Sequence, residues 1–201
     1  MIRCLVIGNR CRRLREDDSG AAVVEFALVA PLFIFVMMGL FDFSQWMYAR
    51  SVLNGAAQDA ARLSTLETGD TAVADAHVAR MISRITPDAV VSTTRRSYFD
   101  FADIGRPEQW NDEDNNGTCN DSENYTDENS NGQWDADIGE SGNGNASDVV
   151  IYTVTVQYEP SFAMPLVPYI SDTREISSTV VKKNQPFALQ TGLSSEAGTC
   201  D

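Results

Sequence analysis

Apolar residues crowd one end of the chain. Residues 21–41 form a run of 21 positions in which Glu25 is the single charged side chain, and a helix of that length covers the roughly 30 Å hydrocarbon layer of a bilayer. Asp42 ends the run, and Trp46 and Tyr48 follow where interfacial aromatics gather. Pro31 is tolerable in such a helix. Beyond it the apolar positions thin to a stripe, Ala49, Leu53, Ala56, Ala60 and Leu63, set against Arg50, Asn54, Gln58 and Arg62 on another face. This predicts that the same helix continues to about Leu66.

After Gly69 and Asp70, the spacing of Val73, Ala76, Val78, Met81, Ile82 and Ile85 predicts a second helix ending before Pro87. Residues 90–99, carrying Arg95 and Arg96, read as a strand; residues 149–158 alternate β-branched and aromatic side chains, and 173–183 give a third strand. Between the last two, Pro165 and Pro168 interrupt Phe162, Met164, Leu166, Val167, Tyr169 and Ile170, which favours a packed loop. The expected class is α+β: a long N-terminal helix, a second helix and a small antiparallel sheet. Its segments are a basic leader (1–20), a spanning helix (21–48) and an exported domain (49–201) containing a polar insert (100–148).

Charge sharpens this division. The formal net charge is -14, and from residue 108 to 148 there are twelve Asp or Glu and no Lys or Arg. Such a surface excludes nucleic acid as a partner. Arg3, Arg10, Arg12, Arg13 and Arg15 precede the apolar run, which by the positive-inside bias keeps this end in the cytoplasm and sends the remainder across the membrane. A secretory signal peptide would have a shorter apolar region and a small-residue cleavage site, and none is convincing before Trp46. Cys4 and Cys11 then fall on the reducing side, whereas Cys119 and Cys200 fall where a disulfide can persist. The alternative for Cys200 is a free thiol or an intermolecular link.

Gly20 followed by Ala21, Ala22, Val23, Val24, Glu25 and Phe26, behind a basic leader, resembles a type IV prepilin processing site. The resemblance implies that a prepilin peptidase cuts after Gly20, leaving a new α-amino group on Ala21 one helical turn from Glu25. An ionisable residue in a spanning helix wants a partner, and that amine is the nearest candidate; the alternative is a carboxylate that snorkels to the interface. The residues Glu25-Phe26-Ala27-Leu28-Val29-Ala30-Pro31-Leu32, then Gly39, Asp42-Phe43, Tyr48-Ala49-Arg50, Asn54-Gly55-Ala56-Ala57 and Asp59-Ala60-Ala61-Arg62 extend it. This succession is similar to TadE-like proteins of the bacterial tight-adherence (Tad) pilus machinery. It implies a minor pilin or pseudopilin in the inner membrane, its C-terminal domain periplasmic or in a pilus, with other pilin-like subunits and Tad assembly proteins as partners. Gly55, Ala56, Ala57, Ala60 and Ala61 suit close helix approach, either to its own core or to another subunit.

Within the insert, Asp112, Asp114 and Asn116 stand at positions one, three and five of an EF-hand-type loop, with Gly117 at six, Thr118 at seven and Glu123 at twelve. A second copy runs Asp127, Asn129, Asn131, Gly132, Gln133 and Asp135, similar to the calcium loops of dockerin-like and thrombospondin-like repeats. Ile138 occupies its twelfth position, so Asp137 or Glu140 is expected to close it. Oxygen at alternate positions is what a Ca²⁺ ion of six to eight coordination requires, and Pro107 argues against a flanking EF-hand helix. The alternatives for the insert are a disordered acidic linker and a calcium-binding cell-surface module for which the helix is only an anchor. Enzymatic chemistry is not expected: there is no nucleophile elbow, GxGxxG, P-loop or HExxH. The single histidine, His77, is expected to be solvated or capping.

Overall fold

In the computed structural model, the residues described are 20–65, 70–120, 122–160, 173–186, 188, 190 and 196–200. The basic leader with Cys4 and Cys11, and the expected packed loop at 162–170, lie outside them. The chain divides into two compact units, one of Met1–Trp46 with Pro160–Asp172 and the other of Met47–Glu159 with Thr173–Asp201.

The described part of the first unit is chiefly the beginning of helix α1, Ala21–Ser64, in which Pro31 does not interrupt the helix. Its apolar side chains face outward: Phe26, Leu28 and Leu32 are 72%, 76% and 66% exposed. Among the described residues α1 is the one helix long and apolar enough to cross a membrane. Asp42, by contrast, is buried, and the Phe43 and Trp46 rings lie 5.7 Å apart.

In the second unit the helix changes character. Ala49, Leu53, Ala56, Ala57, Ala60, Ala61 and Ser64 are buried, a stripe at three- and four-residue spacing that small side chains keep narrow. The alanines are thus used in this unit's own core, while Gly55 is exposed. The helix stops two residues before the expected Leu66. The Ser64 and Thr65 hydroxyls donate back to the Ala61 and Arg62 carbonyls at 3.0 and 2.9 Å, and such local bonds compete with the helix ladder.

Helix α2, Thr71–Ser83, starts on Asp70, whose side chain accepts from the Ala72 and Val73 amides at 2.8 and 3.4 Å, satisfying donors that a helix start leaves free. Ala74, Val78 and Ile82 form its buried face. His77 sits mid-helix and half-buried, so it is neither fully solvated nor a cap; its Nε2 makes no hydrogen bond. It lines a shallow groove with Asp59, Arg62 and Leu63.

Strands β1 (Val90–Tyr98), β4 (Val149–Tyr158) and β5 (Arg174–Lys183) agree with the expected strands to within a residue at the ends. With the two-residue strand β3 (Glu140–Ser141) they make an antiparallel sheet in the order β3-β1-β4-β5. Along β4 the pleat buries Tyr152, Val154 and Val156 completely while Ile151, Thr153 and Thr155 stay partly exposed. Strands β2 (Asn124–Asp127) and β6 (Glu196–Thr199) form a separate antiparallel ribbon.

A polar cluster fastens α2 to the sheet. Asp75 accepts from Arg95 Nη1 and Nη2 at 2.9 and 2.6 Å, from the Tyr152 hydroxyl at 2.7 Å and from Thr93 Oγ1 at 3.1 Å. The Arg95 guanidinium also lies 4.3 Å from the Tyr152 ring centroid. Burial alone would raise the Asp75 pKa, but hydrogen bonds from Arg95, Tyr152 and Thr93, with the Arg95 charge, outweigh it and hold it below the ordinary carboxylate value. A depressed folded pKa stabilises above the unfolded value and is lost as pH falls through the folded one, so this contribution fades below about pH 4. Asp75→Ala leaves the Arg95 guanidinium, 9% exposed, without its ion-pair partner, and should cost about 3 kcal/mol in denaturant unfolding at neutral pH. The difference from the parent should shrink on acidification.

Candidate functional site

Two groups of residues carry the functional expectations. At the start of α1, Gly20 is exposed, and a Cβ built there would meet nothing within 4 Å. Among the described residues, packing therefore sets no requirement for glycine at this position. Ala21 and Glu25 are both exposed and one helical turn apart, so their side chains share a face.

The second group lies in the insert, which is folded along most of its length: a 3-10 turn at Phe101–Asp103, β2, β3 and two tight loops, with Tyr125, Ile138 and Ala146 buried. It is not a disordered linker. In the first loop the Asp112 carboxylate accepts from the Asn116 and Gly117 amides, both at 3.0 Å. Asp114 Oδ1 accepts from Asn116 N at 3.0 Å, and Asn116 Oδ1 from Thr118 N at 2.7 Å. These bonds wrap the backbone around the side-chain oxygens, helped by left-handed conformations at Asn115 (φ 59°) and Gly117 (φ 77°). Glu123, 4% exposed, returns to close the loop by accepting from Glu113 N at 2.7 Å and Asn120 N at 3.3 Å. One oxygen from each of Asp112, Asp114 and Glu123 lies within 4.8 Å of the other two. Oxygens sharing one Ca²⁺ at 2.3–2.6 Å are at most about 5 Å apart, so the three fit a common ion.

The second loop repeats the backbone bonds of the first. Asp127 accepts from the Asn131 and Gly132 amides at 3.3 and 2.8 Å, Asn129 Oδ1 from Asn131 N at 3.1 Å, and Asn131 Oδ1 from Gln133 N at 2.7 Å. Ser130 (φ 61°) and Gly132 (φ 77°) repeat the left-handed turns. Asp135 joins through Oδ2, which accepts from Asn129 and Asn131 Nδ2 at 2.7 and 2.5 Å. Neither expected closing residue points to this loop in its contacts. Asp137 pairs with Arg96 and accepts from the Tyr98 hydroxyl, while Glu140 is exposed on β3 opposite Ser97.

Sequence spacing missed Glu108. It is fully buried, and its Oε1 and Oε2 accept from Glu128 N at 2.8 Å and Asp135 N at 3.0 Å. Burial drives its pKa upward; the two backbone donors oppose this, and the neighbouring Asp127 and Asp135 charges add to it. The signal available in the sequence was the likeness of residues 108–120 to 123–135, which share Glu108 with Glu123, Asp112 with Asp127, Asn116 with Asn131 and Gly117 with Gly132. Nearby, Arg106 binds Asp103 and Glu128.

The loops are secured from outside. Cys119, at position eight of the first, is joined by a disulfide to Cys200, with 5.6 Å between Cα atoms. Cys200 also donates its amide to the Glu123 carbonyl at 2.9 Å and accepts from Ser122 N at 3.0 Å. In the second loop Trp134 takes the corresponding place, and its Nε1 donates to the Glu108 carbonyl at 3.2 Å. Flanking segments are extended instead of helical: Trp110 bridges Tyr125, and Asn111 N and Thr126 N donate to the Asn124 and Gln109 carbonyls, both at 2.8 Å.

The described residues thus show an outward-facing apolar helix that continues as the core helix of an α+β unit. Residues 20–62 match the family model described as TadE-like protein. This match begins at Gly20 and ends within α1, so the likeness covers the helix and not the sheet or the insert. No curated protein matches the chain, and no solved structure matches it.

The disulfide has a sequence separation of 81 residues, and closing a loop of that size stabilises by up to about 4.5 kcal/mol in the chain-entropy account. Reduction, or Cys119→Ser, should lower denaturant stability by a few kcal/mol and open the first loop to limited proteolysis. Unchanged cleavage kinetics in reductant would count against this role.

Proposed function

We propose that the chain is a membrane-anchored minor pilin or pseudopilin, a structural or assembly component of a Tad (Flp-type) pilus or secretion machine. The observation that carries this is the TadE-like match beginning at Gly20, over a helix whose apolar side chains are exposed. In this reading the first half of α1 lies in the inner membrane with its N-terminus cytoplasmic, and the rest of the chain is periplasmic or in a pilus. A prepilin peptidase cuts after Gly20. Glu25 then meets the new Ala21 amine, within one subunit or between neighbours, and sets helix register during assembly. The work asked of the protein is structural, with no catalytic residue.

Replacing Gly20 by Trp should leave the protein in the membrane at full length, read as a higher mass than the processed form in cells that hold the peptidase. Equal masses would end the processing reading. Glu25→Ala should insert normally, since one carboxylate costs a spanning helix only about 3 kcal/mol on insertion scales. It should nevertheless fail to support piliation, and wild-type assembly would reduce Glu25 to an interfacial residue.

A second reading, a calcium-binding surface module carried on the anchor, is favoured by the convergence of Asp112, Asp114 and Glu123. Asn116 and the Thr118 carbonyl complete the first set of ligands, and Asp127, Asn129, Asn131, Gln133 and Asp135 supply the second. The two readings separate at Gly20, whose replacement leaves surface binding intact in the second. Both accommodate Ca²⁺, with affinity in the weak extracellular range of about 10⁻⁴–10⁻³ M. Ca²⁺ at about 100-fold above its Kd should add about 2.7 kcal/mol per site to the full chain in detergent, raising Tm and protecting residues 108–148 from protease. Glu123→Gln should weaken the first site and Asp127→Ala the second. An unchanged Tm and cleavage pattern at about 100 mM Ca²⁺, 100-fold above the weak end of that range, would remove calcium from both readings.

A further inference from the structure

We propose that Glu108 is the closing ligand of the second cation site, so that each loop is closed by a carboxylate from the extended segment that leads into the other. This rests on the calcium reading above and assigns a residue that loop spacing places outside the motif. Glu123 bonds the amides of positions two and nine of its loop, Glu113 and Asn120. Glu108 bonds the amides of the same two positions of the second loop, Glu128 and Asp135. The pairing of these two segments explains the exchange. Residues 108–111 run into Asp112 and residues 123–126 run into Asp127, and the two segments pair antiparallel about Trp110 and Tyr125. That register sets Glu108 beside Asp127 and Glu123 beside Asp112. The arrangement is a pseudo-twofold pair, and Ile138 at the nominal twelfth position is free to be buried as an apolar side chain.

Burial supplies an independent argument. Glu108 is 0% exposed, yet no basic side chain pairs with it among the described residues; the nearby Arg106 is engaged by Asp103 and Glu128. A carboxylate held fully out of water beside two further carboxylates, with one amide donor to each oxygen, lacks the opposite charge that burial of an anion calls for. A hard divalent cation bound by Glu108 with Asp127 and the side-chain oxygens of Asn129 and Asn131 supplies it, and oxygen-only donors select Ca²⁺ over softer metals.

Isotope-labelled glycine gives one reporter for each loop, because Gly117 N donates to Asp112 and Gly132 N to Asp127. The full chain in detergent, disulfide intact, is titrated with Ca²⁺ and followed by the two amide resonances. Both should move in the parent. Glu108→Gln should raise the Gly132 midpoint at least tenfold and leave the Gly117 shift in place, which also shows that the insert remains folded; Glu123→Gln should do the reverse. A Gly132 midpoint within twofold of the parent in Glu108→Gln overturns the assignment while leaving calcium binding standing. If neither glycine moves in the parent, the calcium reading itself fails and this inference with it. Should Glu108→Gln lose both shifts, Glu108→Asp decides: a selectively weakened Gly132 response supports the assignment, and a parent-like one overturns it.

Discussion

A carboxylate removed from water must be given donors or an opposite charge, and the second unit is organised around that requirement. Asp75 meets it with Arg95, Tyr152 and Thr93, and so fixes α2 to the sheet. Asp103 meets it with Arg106 and the Asp100 amide, while Asp148 takes the Asn145 amide and Gln190. Glu108 and Glu123 meet it only in part, with backbone amides. Few apolar side chains are buried in the insert, so anion-to-backbone bonds give it the shape that packing gives the sheet.

The helices and long strands were legible because their periods run for many residues. Ala49 to Ala61 keep a helical stripe, and Tyr152, Val154 and Val156 keep a two-residue alternation. Strands β2, β3 and β6 were not legible: at four, two and four residues they are too short for a period to declare itself. The first loop was readable because all of its carboxylates lie within one twelve-residue window. The place of Glu108 beside Asp127 was hidden because it depends on the pairing of two extended segments, and linear spacing does not record which segment lies beside which. Asp137 looked suitable by position, but Arg96 and Tyr98 had the stronger claim on it.

Helix α1 illustrates how one continuous element serves two surroundings. Before Trp46 its large apolar residues point outward, and beyond it the outward positions become Arg50, Asn54, Gln58 and Arg62 while alanines turn inward. The family likeness stops at residue 62, near the end of this helix. What α1 supports beyond that point, sheet and insert together, is the part of the chain that the family pattern does not describe.

The link between Cys119 and Cys200 has a mechanical meaning as well. Tension applied between α1 and the C-terminal residues would pass through the sulfur bridge, leaving the chain between the two cysteines slack. That enclosed segment, which contains the second loop and strands β2 to β6, would otherwise pay out about 280 Å of contour on full extension. With the bridge intact it stays out of the line of pull, and only the residues ahead of Cys119 can lengthen under load.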